Sequence, residues 1–294
     1  MKKLLSTQRS ETPHWVGDGF PVRTIFSYND LGREISPFLL MDYAGPTEFP
    51  PSRHIRGVGE HPHRGFETVT IVYEGEVEHR DSSGGGGLIG PGDVQWMTAA
   101  SGLVHEEKHG AEFAKKGGQF EMVQLWVNLP AKDKMTKPKY QGLRNAQIPQ
   151  VTLDGDAGTL RVIAGEFQGA KGPAATFTPI ELWDVRAKKD RDLKLSLPEG
   201  HTVSVFVLSG EIETLDGRKL SDAEIGVFER ESTELAFKAT QDTKLLILAG
   251  KPLGEPVVGY GPFVMNSMME IRQAFDDFNA GRMGQLGEIE GSES

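Results

Sequence analysis

The sequence predicts an all-β protein of two tandem barrels with a short C-terminal helix, and three observations carry that prediction. The 36 glycines and 17 prolines fall mostly between short runs of Val, Ile, Leu, Phe and Thr, which is the punctuation of short strands and tight turns. A strand pattern recurs: Val72-Tyr73-Glu74-Gly75-Glu76-Val77-Glu78 returns as Val207-Leu208-Ser209-Gly210-Glu211-Ile212-Glu213. Finally, 294 residues are enough chain for two separate cores.

In chain order, 1–130 is expected to form the first barrel, 131–139 a linker and 140–294 the second barrel. Val22-Arg23-Thr24-Ile25-Phe26 and Phe38-Leu39-Leu40-Met41 are strand candidates, and 48–59, with Pro50-Pro51 and two glycines, reads as a loop. Thr68-Val69-Thr70-Ile71-Val72-Tyr73 is a strand that stops at Glu74-Gly75. Residues 76–80 alternate like a strand with one solvated face, and Ser82-Ser83-Gly84-Gly85-Gly86-Gly87 reads as a loose tip. Gly90-Pro91-Gly92-Asp93 turns the chain into Val94-Gln95-Trp96-Met97, and 120–127 forms a strand ending at Asn128-Leu129-Pro130. Residues 131–139 are polar, lysine-rich and framed by prolines, hence the linker assignment.

The second half supplies strands at 193–197, 203–208, 234–237 and 245–248. Ser267 with Glu270 three residues on forms a capping box that starts a helix. Ile271, Phe275 and Phe278, spaced i, i+4, i+7, give it one apolar stripe, so it reads as a docking helix that ends the second barrel. Residues 287–294 are expected to be disordered.

With 32 basic against 42 acidic residues the formal charge is −10, which argues against a nucleic-acid backbone or an anionic membrane surface as partner. Contact with a basic protein stays open. No stretch approaches the roughly 20 apolar residues of a spanning helix. Met1-Lys2-Lys3-Leu4-Leu5 begins like a secretory signal but is cut short by Ser6-Thr7-Gln8-Arg9, so a cytoplasmic location is expected. The absence of cysteine excludes disulfides, zinc–thiolate sites and thiol nucleophiles, and leaves nitrogen and oxygen as the metal donors.

Two pairs of such donors stand out. His61-Pro62-His63 and His105-Glu106-Glu107 each space two ligands at i, i+2, which on a strand puts both on one face. Two strands lining one barrel would converge His61, His63, His105 and Glu107 on a point. His109 reads as a loop residue, His79 as an exposed face residue, and His54 as a loop residue beside Arg53 and Arg56. His14 and His201 have no partner pattern. Trp96, Met97 and Trp126 read as barrel core before pocket wall. The glycine run 84–87 lacks the Lys-Ser/Thr of a phosphate loop, and no G-x-S-x-G elbow accompanies Ser101. In the repeat, Ser196, Pro198, Ala236 and Lys238 stand where His61, His63, His105 and Glu107 do, so the fold does not require the ligands.

These blocks resemble the cupin superfamily and, more closely, the pirin family. The likeness lies in 61–69 (His-Pro-His-Arg-Gly-Phe-Glu-Thr-Val), in 91–99 (Pro-Gly-Asp-Val-Gln-Trp-Met-Thr-Ala), in Leu103-Val104-His105-Glu106-Glu107 and in Gly261-Pro262-Phe263-Val264-Met265-Asn266. The resemblance implies two jelly-roll cupin barrels, with metal in the first and none in the second. Cupins at large bind metal through three histidines and a glutamate that corresponds to Glu67, whereas pirins use a glutamate that corresponds to Glu107. Both carboxylates stand on an inward parity in this reading. Glu107 is favoured because the pirin blocks match further than the generic signature.

The resemblance further implies one mononuclear divalent metal, iron(II) first, with nickel, copper, zinc, manganese and cobalt as alternatives the donor set accepts. It implies quercetin 2,3-dioxygenase activity, in which a flavonol and dioxygen give a depside ester and carbon monoxide, with Glu107 accepting the substrate proton. The alternative from the same resemblance is an iron-binding regulatory protein that contacts transcription factors or metabolic enzymes. A monomer is expected, since tandem barrels can cover each other's apolar faces.

Overall fold

The computed structural model describes residues 1–287, so the expectation for the tail falls, apart from Gly287, outside the described residues. The chain folds into two compact units. One consists of residues 14–22, 44–142 and, among the described residues, 255–287, and it carries the candidate ligands. Its smaller sheet has the order β5 (Gly57–His63), β10 (Leu103–His109), β7 (Val77–Asp81), β8 (Gly86–Ile89). A larger sheet, whose strands β3 and β4 have residues in both units, has the order β12 (Lys139–Leu143), β9 (Val94–Thr98), β6 (Phe66–Glu74), β11 (Gly118–Asn128), β4 (Phe38–Phe49), β3 (Phe20–Ser27), β2 (His14–Val16). Val77 and Ile89 of the small sheet pack with Phe20, Val22, Phe49, Val72, Phe120 and Met122 of the large one, so the two sheets enclose one core.

Strand β6 is buried along its length except at Glu74, as befits a strand hydrogen-bonded on both sides, to β9 and β11. It ends at Gly75, whose φ of +83° and close approach to the Phe120 ring leave no room for a side chain.

The second unit holds residues 1–13, 23–43 and 143–254. Its four-stranded sheet runs β18 (Arg191–Ser196), β23 (Glu234–Ala239), β20 (Glu211–Thr214), β21 (Lys219–Ser221). Its seven-stranded sheet runs β1 (Leu4–Arg9), β22 (Glu224–Phe228), β19 (Thr202–Ser209), β24 (Thr243–Gly250), β17 (Ile180–Ala187), β14 (Gly158–Ala164), β13 (Gln150–Thr152). Leu193, Leu195, Leu235 and Phe237 pack there against Trp183, Val205 and Ile247. With a hairpin of β15 (Glu166–Phe167) and β16 (Ala170–Lys171) and only the short helices α1 (Gly32–Ile35) and α2 (Ala111–Lys116) before the C-terminal segment, the chain is of the expected all-β class with two barrels.

Four details differ from the sequence reading. First, the boundaries at 130 and 140 do not describe the units, because β1 pairs with β22 inside the second unit. Second, the C-terminal segment of β25 (Val258–Tyr260), β26 (Phe263–Met265) and α3 (Met268–Asn279) packs on the ligand-bearing unit instead of ending the second barrel. An apolar stripe shows that a helix must dock, not where. Ser267 does cap α3 with Glu270, and Ile271 and the partly buried Phe275 dock as the stripe predicts, but Ala274 is buried as well and Phe278 is exposed.

Third, 131–139 is largely exposed but lies within the first unit, not between the two, and one of its lysines is drawn inside. Lys134 is 1% exposed, and its Nζ donates to the Gly65 and Val264 carbonyls and to Asn128 Oδ1 at 2.6, 3.0 and 2.6 Å. Fourth, Ser196 and Lys238 are exposed while Leu195, Leu197, Leu235 and Phe237 are buried. The repeat alignment is thus one residue out of pleat register there, and a one-residue slip exchanges the two faces of a strand. No helix among the described residues is long and apolar enough to cross a membrane.

Candidate metal centre

The pleat of three neighbouring strands builds the site. In the β5–β10 ladder His105 lies opposite His61 and Leu103 opposite His63, while in the β10–β7 ladder His105 faces Asp81 and Glu107 faces His79. His61, His63, His79, Asp81, His105 and Glu107 therefore share one face, although a register shift in the β5–β10 ladder sets Glu107 opposite Val58. The even-numbered Glu106 turns the other way, to Arg80 and Lys108.

One ring nitrogen each of His61, His63 and His105 lie within 4.8 Å of one another. His61 Nδ1 bonds the Gly59 carbonyl at 2.8 Å and His63 Nδ1 the Pro262 carbonyl at 3.2 Å, so each imidazole keeps Nε2 as its bare donor. His105 Nε2 is buried and has no hydrogen-bond partner among the described residues. A buried nitrogen without a partner costs stability unless something ligates it, so the donor set fits a cation. Burial, reinforced by the neighbouring His61 ring, holds His63 down to about 3. Burial, then the rings of His63 and His61, holds His105 well below the usual range. Both are neutral at pH 7, the state in which imidazole ligates.

Glu107 approaches the cluster from the His105 side: its carboxylate, His105 and His79 offer three donor atoms within 4.8 Å of one another. Thr70 Oγ1 and Gln95 Nε2 donate to its Oε1 at 3.3 and 3.2 Å, and Gln124 Nε2 donates to its Oε2 at 2.9 Å. Thr70, Gln95 and Gln124 are cross-strand neighbours in one row of the large sheet, so that sheet clamps the carboxylate.

This row also separates the two candidate glutamates. Thr70 points at Glu107, and β6 pairs with β9 without a register shift, so Glu67, three residues earlier, lies on the opposite face of β6. The inward parity expected for Glu67 is therefore not observed, because it follows His63 across a strand change and the count of two does not carry over. Glu67 accepts a 2.7 Å bond from Thr98 Oγ1.

Burial pushes the Glu67 carboxyl up to about 7, against the Thr98 bond that opposes it. Its folded-state value is raised, so its contribution to stability is fully present below about 4.5 and is lost as pH rises through 7. Urea unfolding of the metal-free protein at pH 5 and pH 9 should show Glu67→Gln losing less stability than the wild type, by on the order of 2–3 kcal/mol. Equal losses would contradict this.

Several residues sit where the sequence reading did not put them. His79, expected on a solvated face, is 2% exposed; its Nε2 faces Asp81 Oδ2 at 3.2 Å and its Nδ1 faces His105 Nδ1 at 3.3 Å. The charged neighbours Glu78 and Arg80 disguised it. The signal was there, since His79-x-Asp81 has the same i, i+2 spacing as the ligand pairs. His109 is likewise buried, bonding the Gly19 carbonyl at 2.8 Å among the rings of Phe20, Phe49, Phe113 and Phe120. His201 pairs with Glu181 at 2.8 Å in the second unit, and the exposed His54 pairs with Asp18. His14 is exposed in β2.

Trp126 stacks on Phe66 with centroids 4.3 Å apart and meets the His63 ring edge-on at 5.3 Å. Like His61 and Gln124 it is only partly buried, so the aromatic wall is the accessible side of the cluster. Met97 is buried against Ala99, Leu103 and Tyr140, and Trp96 is fully buried.

Comparison with known proteins agrees with the fold. A pirin family model matches residues 19–127, and one for the pirin C-terminal cupin domain matches residues 182–284. The chain is 57% identical over 282 residues to a Pseudomonas aeruginosa protein provisionally named quercetin 2,3-dioxygenase, covering 96% of this chain and 98% of that one. It is 36% identical over 286 residues to pirin of Homo sapiens, covering 96% and 92%. A crystal structure of quercetin 2,3-dioxygenase from Acinetobacter baumannii matches with a TM-score of 0.95 at 54% identity, covering 98% of this chain and 100% of that one. With both barrels matched and nearly the whole length shared, the chain belongs to the pirin family of bicupins.

Proposed function

We propose that this chain is a metal-dependent dioxygenase that opens the heterocyclic ring of a flavonol such as quercetin. His61, His63, His105 and Glu107 would hold the ion, which we assign as iron(II); the donor types also accept nickel, copper, zinc, manganese or cobalt. The observation that carries the reading is the buried His105 Nε2, without a partner among the described residues and grouped with His61 and His63 beside an accessible aromatic wall. The names borne by the Pseudomonas and Acinetobacter relatives support the substrate class.

When bound, the ion supplies Lewis acidity toward the substrate enol and a means of activating dioxygen. The protein does the rest. The partly exposed Trp126, backed by the buried Phe66, offers a planar surface on which a flavonol ring can stack. Glu107 would accept the 3-hydroxyl proton, with Thr70, Gln95 and Gln124 holding the carboxylate in place. The reaction balances as flavonol plus one dioxygen giving depside plus carbon monoxide: C3 leaves with its own hydroxyl oxygen, and both atoms of dioxygen end in the depside.

Glu107→Gln keeps the shape and removes the charge. It should lower turnover by about 100-fold or more and weaken metal binding, read by single-turnover kinetics and elemental analysis. Unchanged metal content and turnover would remove Glu107 from both roles. The reading as a whole is tested by oxygen uptake: iron-loaded protein with quercetin should consume one dioxygen and release one carbon monoxide per flavonol lost. No uptake by a metal-replete sample would sink the enzyme reading and favour the regulatory one.

A further inference from the structure

Behind His105 lies a chain of polar groups that the proposed reaction does not use. Asp81, His79 and His105 stand in line: Asp81 Oδ2 to His79 Nε2 is 3.2 Å, and His79 Nδ1 to His105 Nδ1 is 3.3 Å. All three are buried, and His79 is fixed between His105 and the ring of Tyr140, on which it stacks at 5.3 Å. We propose that Asp81 and His79 are positioning residues that set the tautomer of His105, so that its Nε2 presents a lone pair to the metal. The proposal rests on reading His105 as a ligand through Nε2.

The direction of each bond follows from the anchor. Asp81 Oδ1 already accepts from Ser83 N at 2.8 Å, Ser83 Oγ at 2.6 Å and Gly85 N at 3.1 Å, so three donors fix the carboxylate and leave Oδ2 as an acceptor only. His79 must therefore carry its proton on Nε2, and its Nδ1 is a bare acceptor. His105 must then donate from Nδ1, which leaves Nε2 bare on the side of His61 and His63. A metal-bound imidazole is oriented in the same way by an acceptor on its other nitrogen, here through one more ring.

The relay also explains a stretch that read as a loose tip. A Cβ on Gly85 would lie 2.4 Å from Asp81 Oδ2 and 2.6 Å from Tyr140 Cβ, so the glycine run closes on the back of the relay.

Asp81→Asn reverses the chain. The two backbone N–H groups keep the amide oxygen, the amide NH2 turns to His79 Nε2, and the proton order flips to leave His105 with a protonated Nε2. Two measurements test this. In the metal-free wild type, long-range 1H–15N spectra of labelled histidine should show the proton on Nδ1 of His105 and Nε2 of His79, and Asp81→Asn should exchange both. Cobalt(II) titration, followed by its visible spectrum, should show affinity about 10- to 100-fold weaker in folded Asp81→Asn. A proton on His105 Nε2 in the wild type, or cobalt(II) affinity within about threefold of wild type in the folded variant, would overturn the relay. The nitrogen assignment needs neither the variant nor a metal. If the wild type binds no cobalt(II), the ligand reading fails while the spectra still decide the relay.

Discussion

Replacing His105 by alanine is expected to take the protein from about one metal equivalent per chain to near none after dialysis, and to abolish flavonol turnover. Apparent binding energies of four-ligand protein sites are about 10–16 kcal/mol, so the loss of one ligand costs about 3 kcal/mol or more, roughly a hundredfold or more in affinity. His105 is the most sensitive of the three imidazoles because it belongs to both donor groups, the one with His61 and His63 and the one with His79 and Glu107. Elemental analysis after dialysis, with a far-UV spectrum to show that the barrel is folded, checks the prediction. A fully loaded His105→Ala would contradict it.

The second large effect lies away from the chemistry. Lys134→Met should destabilise the metal-free protein by about 3–5 kcal/mol in urea unfolding at pH 6, below the value of about 7 to which burial lowers the ammonium. Methionine keeps the stem but leaves the Gly65 carbonyl, Asn128 Oδ1 and the Val264 carbonyl without the three N–H groups that serve them. Val264 belongs to the C-terminal strap, whose Pro262 carbonyl holds His63 Nδ1, so loosening the strap should also weaken metal binding. Limited proteolysis should cut Lys134→Met first between residues 255 and 287. A variant as stable as wild type would show that the lysine is incidental.

Much of this site was legible because strand periodicity is strict. An i, i+2 pair shares a face wherever the strand goes, so His61 could be paired with His63, and His105 with Glu107, before any partner strand was known. What failed was counting across breaks. Glu67 follows Arg64-Gly65, where one strand ends and the next begins, and its parity relative to His63 was lost there. The repeat equivalences failed for the same reason: Ser196 and Lys238 came from offsets that were one residue out of pleat register.

Other misses come from reading charge as exposure. Lys134 sits among polar neighbours and His79 between Glu78 and Arg80, yet both are buried, because the pleat or a ring of acceptors can draw in one polar side chain from a charged stretch. The domain boundaries were not readable from composition. Strand β1 and helix α3 each advertise a need to pair or dock, but the partner is set by tertiary contacts that no local pattern encodes.

The central claim is that a single ion is held in the ligand-bearing barrel by His61, His63, His105 and Glu107, with Glu67 on the far face of its sheet. The most direct test is an anomalous difference map at the iron edge from crystals of the iron-loaded protein. The account predicts one peak in that barrel, about 2.0–2.3 Å from Nε2 of each of the three histidines and from a Glu107 oxygen. A peak ligated by Glu67, or by Nδ1 of His105, would contradict it.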